Sequence, residues 1–301
     1  AWLSTIGPTA GVDPESYIHS KYIVIWACNS VSTNLHHWAI VQDAKKKGAK
    51  VVVIDSYKSR TAKQADWHLS PKPGTDGALA MAVINHIIKN DLTDKDYIDK
   101  YTDGFDELKS HVTDKTPEWA AKITGVNKED IEKLALELAS NQPAAIRIGV
   151  ALERHHGGGQ TIRAVTCIPA LTGAWKHVGG GITQFPVWEH PYKFDVICRP
   201  DLIPEGTRVV NALQLGRALL GENIDKNLPI KSMMCWNANP VTQSPETEKI
   251  VEGLQREDLF LVSAEHFISD TASFADILLP ASMGAEHEDI ILSWGHLYLT
   301  Y

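Results

Sequence analysis

Tyr22-Ile23-Val24-Ile25-Trp26-Ala27-Cys28-Asn29 is an apolar run that breaks into a short turn. The chain repeats the pattern as Ile230-Lys231-Ser232-Met233-Met234-Cys235-Trp236-Asn237-Ala238-Asn239. Thr61 and Asp66 follow Asn29 at fixed intervals (61 − 29 = 32, 66 − 29 = 37), and Thr271 and Asp276 follow Asn239 at the same ones (271 − 239 = 32, 276 − 239 = 37). Each Thr and Asp bounds a Thr-Ala-x-x-Ala-Asp hexapeptide. Each hexapeptide comes after a second strand-like run, Val51-Val52-Val53-Ile54-Asp55 or Leu259-Phe260-Leu261-Val262-Ser263. Two spacings kept together indicate two copies of one βαβ nucleotide-binding unit.

With 301 residues, 44% of them apolar, the chain can bury two cores of ordinary size, since domains run to about 100–200 residues. Its apolar runs fall far short of the ~20 residues that cross a bilayer, which argues against direct membrane insertion. A net charge of −8 and a pI near 5.9 argue against nucleic acid, which calls for a basic stripe. Cys28, Cys167, Cys198 and Cys235 are too scattered for a C-x-x-C signature and read as buried or half-buried thiols. Without a start methionine or a signal-peptide pattern, the chain is expected to be a piece of a longer protein, and its compartment is not legible.

Strands and helices alternate, which predicts parallel sheets with helices on their faces. The pattern places a helix over residues 32–47 with Gly48 just past its end. Further helices open at Thr75-Asp76, at Thr116-Pro117 and at Asn127, and a buried strand spans Ala144 to Val150. An apolar helix over Ile162 to Leu171 lies between Gly157-Gly158-Gly159 and Gly179-Gly180-Gly181. Residues 182–206, with Pro186, Pro191, Pro200 and Pro204, show no periodicity. The domains are therefore drawn as 1–181 and 182–301, the second restarting with a helix at 208–220.

In such units the chemistry sits where a strand ends and a helix begins, because free backbone N–H groups there suit a phosphate. Trp26-Ala27-Cys28-Asn29 and Trp236-Asn237-Ala238-Asn239 are those turns, and neither is the G-x-G-x-x-G of a nicotinamide fold. Asp55 ends the second strand, where an acidic residue either meets a ribose hydroxyl or caps a turn. Asp76, after Gly74 and Thr75, either accepts from the N–H edge of a guanine or caps its helix.

Together these motifs resemble the molybdopterin oxidoreductases of the dimethyl sulfoxide reductase superfamily. The resemblance rests on Ile54-Asp55, Thr61-Ala62-x-x-Ala65-Asp66 and Pro73-Gly74-Thr75-Asp76-Gly77-Ala78-Leu79. It is extended by Thr116-Pro117-Glu118-Trp119-Ala120, Ile123-Thr124-Gly125-Val126, Pro169-Ala170-Leu171-Thr172-Gly173, Gly179-Gly180-Gly181, Asn239-Pro240 and Thr271-Ala272-x-x-Ala275-Asp276-Ile277-Leu278-Leu279-Pro280-Ala281 with Glu286 beyond. It covers nearly the whole chain, in order.

The resemblance implies an α/β fold of two pseudo-symmetric Rossmann-like domains, with mostly parallel sheets flanked by helices, of the formate dehydrogenase and DMSO reductase type. These would cradle bis(molybdopterin guanine dinucleotide) with Mo or W. It places the first guanine nucleotide at Trp26, Ala27, Cys28 and Asn29, at Asp55 and Ser56, and at Gly74, Thr75 and Asp76. The second falls at Asn237, Asn239, Ser263 and Glu265, with Thr271 and Asp276 holding the fold. Val150 and Arg154 fall on a loop beside the pterins, and Arg154, where many members carry Gln, either contacts cofactor or substrate or makes an exposed ion pair. His155 and His156 have no partner at metal-ligand spacing.

The turn departs from the family's Trp-Gly-x-Asn at Ala27, and Asp55-Ser56-Tyr57 replaces a common Asp-Pro-Arg. No catalytic residue is expected in this chain, nor activity from it alone. An iron–sulfur cluster is implied only for an N-terminal segment outside it. The full enzyme would act on a small-molecule substrate in anaerobic respiration, with an iron–sulfur electron-transfer subunit and a membrane-anchor subunit as partners. Two alternatives remain: a cofactor-free electron-relay or structural subunit of the same fold, and an NAD-dependent dehydrogenase.

Overall fold

The computed structural model describes residues 1–9, 11–186 and 192–301, so Pro191 of the irregular stretch lies outside the described residues. Two compact units divide the chain, Ala1–Pro191 with Ile291–Thr300, and Tyr192–Ile290. The division falls about ten residues later than the boundary drawn at 181, because Gly181–Thr183 forms a strand whose residues pair with Ala145–Arg147 of the first unit.

The first unit is built on Tyr22–Trp26 (β1), Lys50–Ile54 (β2), Trp67–Leu69 (β3), Ala144–Ile148 (β4) and Gly181–Thr183 (β5), all parallel, in the order β3-β2-β1-β4-β5. An unbroken apolar strand is the mark of a sheet covered on both faces, and every residue of β1 is fully buried. Period-two alternation divides it. Tyr22, Val24 and Trp26 pack with the helices Asp76–Lys89, Lys128–Ser140 and Gly158–Leu171, which supply Leu79, Val83, Leu134 and Val165. Ile23 and Ile25 face the other way, onto Tyr17, Trp38, Val41 and Ala44. Each buried aliphatic side chain contributes roughly 1.5–3 kcal/mol, so this two-faced core dominates the stability of the unit.

The helix expected over residues 32–47 is broken. Ser30–Thr33 and Leu35–Lys46 are separate because Asn34 leaves helical geometry (φ −153°, ψ 75°) and its Oδ1 accepts from the His37 N–H at 3.2 Å. Asn127 precedes the helix Lys128–Ser140 without capping it, its Nδ2 donating instead to Asp130. The helix expected over 208–220 is shortened to a 3-10 turn, Ala212–Gln214, and the five-residue helix Leu215–Leu219, since extended Asn211 accepts from the Leu213 N–H and starts the turn late.

The second unit holds a parallel sheet of Ser232–Trp236 (β6), Phe260–Glu265 (β7) and Ile277–Pro280 (β8), in that order. Its core is small: Leu219, Cys235, Ile250, Leu254, Leu259 and Leu261. The relation between the units goes beyond two spacings. At a constant offset of 210 residues (239 − 29 = 210), β1, β2 and β3 correspond to β6, β7 and β8 in the same register, with Tyr22 opposite Lys50 and Ser232 opposite Phe260. Among the described residues no helix is long and apolar enough to cross a membrane.

The repeated Asp holds this register. Asp66 Oδ2 accepts from the Val51 N–H at 2.8 Å, and Asp276 Oδ2 from the Leu261 N–H at 2.7 Å. In return the Asp66 N–H donates to the Val51 carbonyl and that of Asp276 to the Leu261 carbonyl, both at 2.9 Å. The carboxylate satisfies a strand N–H at the start of the sheet, a charge-assisted bond stronger than a neutral one.

Candidate functional site

β1 lies between β2 and β4, and the chain reverses direction across the sheet there, so the ends of β1 and β4 form a switch point of the kind where open α/β sheets take ligands. Each unit turns the chain away from its first strand with one left-handed residue. Ala27, the first after β1, has φ +51°, and Asn237, the matching residue after β6, has φ +50°. Each N–H is tied to the neighbouring strand, Ala27 to the Ile54 carbonyl at 2.8 Å and Asn237 to that of Ala264 at 3.2 Å. Left-handed backbone costs an alanine about 1–2 kcal/mol, while asparagine tolerates it better, so the same turn conformation is built twice and is strained chiefly at Ala27.

The repeated Asn pins the segment just beyond each turn. Asn29 Oδ1 accepts from the Thr61 N–H at 3.3 Å and from Thr61 Oγ1 at 2.8 Å, while Thr61 Oγ1 accepts from the Val31 N–H at 3.0 Å. The second copy repeats the set: Asn239 Oδ1 with the Thr271 N–H at 3.1 Å and Oγ1 at 2.8 Å, and Thr271 Oγ1 with the Val241 N–H at 3.1 Å. The amide oxygens of both asparagines are therefore committed to the loop, and their offering to a ligand is limited to what remains.

Gly149, the first residue after β4, brings the second wall in. Its N–H donates to the Trp26 carbonyl at 2.9 Å, and a Cβ there would lie 1.9 Å from the Ala27 carbonyl oxygen. Only glycine permits that approach.

Two cavities meet at this turn and share Ala27, Asn29 and Ala151. The smaller, about 310 Å³, gathers six of the expected residues: Ala27, Asn29, Asp55, Ser56, Gly74 and Asp76. Tyr57, Pro71, Pro73 and His155 complete much of its wall. Burial pushes the Asp55 carboxyl up from its usual range, against a weak opposing bond from the Tyr57 N–H. One oxygen of Asp76 accepts from Trp26 Nε1 at 2.8 Å. This lining accepts hydrogen bonds from an N–H or O–H edge, the pattern that a guanine or a ribose presents.

The larger cavity, about 700 Å³, holds Cys28 and Val150 of the expected set, together with Gly149, Gln184 and, unforeseen, Arg147. Arg147 is 9% exposed, and its Nη1 is buried with no hydrogen-bond partner among the described residues. Beside it, burial and then the Arg147 charge press the His37 imidazole down to about 3, so His37 is neutral. Burial raises the Tyr17 phenol to about 12, with Arg147 opposing.

Three expected residues stand elsewhere. Trp26 is fully buried and lines neither cavity; its indole orients Asp76 from behind. Thr75 Oγ1 donates to the Lys72 carbonyl at 2.6 Å and does not reach the cavity wall. Arg154 is exposed and lines neither cavity, whereas Arg147, seven positions earlier (154 − 147 = 7), lines the larger one. A strand-internal position on the face of buried Ala145 was the available signal for it.

In the second unit Ser263 is buried and its Oγ has no hydrogen-bond partner among the described residues, while Glu265 accepts from the His266 N–H at 2.8 Å. Glu286 occupies the position matching Asp76 (286 − 76 = 210), but its Oε2 accepts from the Met283 N–H and Trp236 is 76% exposed where Trp26 is buried. The paired indole and carboxylate of the first unit are thus not reproduced.

The family model for molybdopterin oxidoreductase matches residues 12–296. The chain belongs to this family. It is 42% identical over 296 residues to the protein named probable oxidoreductase YoaE of Bacillus subtilis (strain 168), covering 98% of this chain and 43% of that one. It is 31% identical to dimethyl sulfoxide reductase DmsA of Haemophilus influenzae, over 91% of this chain and 38% of that one. Among solved structures, acetylene hydratase from Pelobacter acetylenicus shares the fold, with a TM-score of 0.76 at 23% identity, over 98% of this chain and 45% of that one. The chain therefore spans less than half the length of these relatives, and it is a member of the DMSO reductase superfamily, whose cofactor is a molybdenum or tungsten pterin.

Proposed function

We propose that the chain is the cofactor-cradling part of a larger oxidoreductase. In this reading its two units each take one guanine nucleotide arm of bis(molybdopterin guanine dinucleotide), and the whole enzyme carries out oxo transfer or coupled electron and proton transfer on a small molecule. When bound, the metal centre supplies the redox chemistry. The chain supplies position. Asp55 and Asp76 accept from the nucleoside, the strained turn at Ala27 to Asn29 brings backbone close to the phosphates, and Gly149 and Val150 flank the path away from the nucleoside.

The observation that carries this reading is one turn built twice, with left-handed Ala27 and Asn237 and the same Asn-to-Thr lock behind each. Neither turn carries the G-x-G-x-x-G loop on which a nicotinamide dehydrogenase would seat its pyrophosphate. Iron–sulfur segments, an electron-transfer subunit and a membrane anchor belong to the whole enzyme in this proposal, and the chain alone is expected not to turn over.

The test uses full-length protein purified without air. Acid release, mass spectrometry of the nucleotide and metal analysis on one sample should give two guanylate equivalents per Mo or W. Released NAD, or well-folded protein yielding neither nucleotide nor metal, would overturn the proposal.

A further inference from the structure

The geometry points to Arg147 as the anion anchor of the larger cavity, receiving the pyrophosphate of a guanine dinucleotide whose nucleoside end is held by Asp55 and Asp76 in the smaller one. The inference rests on the dinucleotide reading above and adds to it a residue and an orientation.

Three observations carry it. First, Arg147 is a buried charge without a counter-charge: its Nη1 is fully enclosed, and no hydrogen bond or ion pair of the guanidinium is seen among the described residues. Burying an unpaired ion is costly enough that proteins ordinarily pair it or give it a ligand. Second, no carboxylate lines the larger cavity among the described residues, in a chain whose net charge is −8. The polar residues that line it besides Arg147 are Asn29, Asn34, His36 and Gln184, with Cys28 and the hydroxyls of Ser32, Thr33 and Ser293, and none is acidic. Third, the carboxylates stand on the other side of the shared wall. Asp55 and Asp76 line the smaller cavity, and Ala27, Asn29 and Ala151 line both. A ligand with hydrogen-bond donors at one end and an anion at the other fits this order in one direction only. A guanidinium fork is the side chain best suited to phosphoryl oxygens.

The neutrality of His37 is consistent with this arrangement. Its ring is buried, its Nδ1 lies 3.1 Å from Ser30 Oγ, and it adds no second charge beside the anion.

The experiment compares guanosine with GDP by calorimetric titration of the full-length protein stripped of cofactor, wild type against Arg147→Met and Arg147→Lys. The wild type should bind GDP about ten to a hundred times more tightly than guanosine, the range expected of a charge-assisted contact. Arg147→Met should keep its guanosine affinity and lose the preference for GDP. Arg147→Lys should retain part of it. Arg147→Met should also melt no lower than the wild-type apoprotein, because it removes a buried charge that has no partner there.

Equal weakening of both ligands, or a lower melting temperature of Arg147→Met, would show a structural role and overturn the assignment. So would an undiminished preference in Arg147→Met. Failure of the wild type to bind either ligand fails the dinucleotide reading itself, which distinguishes the two.

Discussion

Gly149→Ala isolates the close approach of the two strand ends. The residue has φ −94°, which any amino acid adopts, so the substitution carries no backbone penalty of its own. Its whole cost is steric. The new Cβ would stand 1.9 Å from the Ala27 carbonyl oxygen and 2.8 Å from its carbonyl carbon, against the 3.0 Å below which real Cβ contacts are not found. The two backbones must separate by about 1.1 Å (3.0 − 1.9), and neither is the end of a flexible side chain. That movement stretches the bond from the Gly149 N–H to the Trp26 carbonyl, now 2.9 Å. Overpacking at about 1–3 kcal/mol and a weakened hydrogen bond at about 1 kcal/mol together give roughly 2–4 kcal/mol. For a domain of this size the expected fall in Tm is about 4–16 °C.

The control is Gly48→Ala, at φ +96° with nothing within 4 Å of the added methyl. It meets only left-handed strain, about 1–2 kcal/mol, and lines neither cavity. Calorimetry on the apo forms and guanylate release from the purified proteins separate the two. Both variants should lose stability, and only Gly149→Ala should lose bound nucleotide out of proportion to its melting shift. If Gly149→Ala melts within ~2 °C of wild type and retains its nucleotide, the close approach is not what shapes the turn.

Three further outcomes are expected. Ala27→Gly should stabilise the apoprotein by about 0.5–1 kcal/mol by relieving the left-handed backbone, less the added entropy of the unfolded chain; a lower Tm would contradict the strain. A double-mutant cycle of Asn29→Ala with Thr61→Val should give a coupling of about 1–2 kcal/mol from denaturant unfolding, and the Asn239 and Thr271 cycle a similar value; additive effects would mean the lock is idle. His37, neutral in the native state with its imidazole near 3 and charged below about 6.5 when unfolded, should make stability fall as pH drops below 6.5, by about 1 kcal/mol between pH 7 and 5.5. His37→Gln should flatten that slope in pH-dependent denaturation, and an unchanged slope would assign it to another group.

The duplicated spacing made the two units legible because it records long-range pairings. Thirty-two residues separate Asn29 from Thr61 because one side chain reaches the other past the helices Ser30–Thr33 and Leu35–Lys46 and the strand β2, and the bond ties that length to the spacing. The Asp66 spacing is held the same way, by the register of β1, β2 and β3. Spacing cannot show which atoms of a repeated residue are used up. Asn29 and Asn239 read as ligand contacts from their place after a strand, yet their amide oxygens close the loop. Trp26 read as part of the turn, yet it lies wholly in the core.

The two arginines show the same limit from the other side. Arg154 sits in a glycine-rich loop, where a charged residue reads as available, and the structure leaves it in solvent. Arg147 sits within Ala144-Ala145-Ile146-Arg147-Ile148, where an arginine in an otherwise apolar strand is the exception to a continuous buried run. Alternation from Ala145 places it on the face of Tyr17 and His37 rather than that of Ile146 and Ile148. A charged side chain that a parallel strand buries at the end next to a topological switch is hard to explain by packing, because a valine would fill the strand at less cost. Its cost is recovered only when an anion enters, and this ties the odd residue of β4 to the cavity beside it.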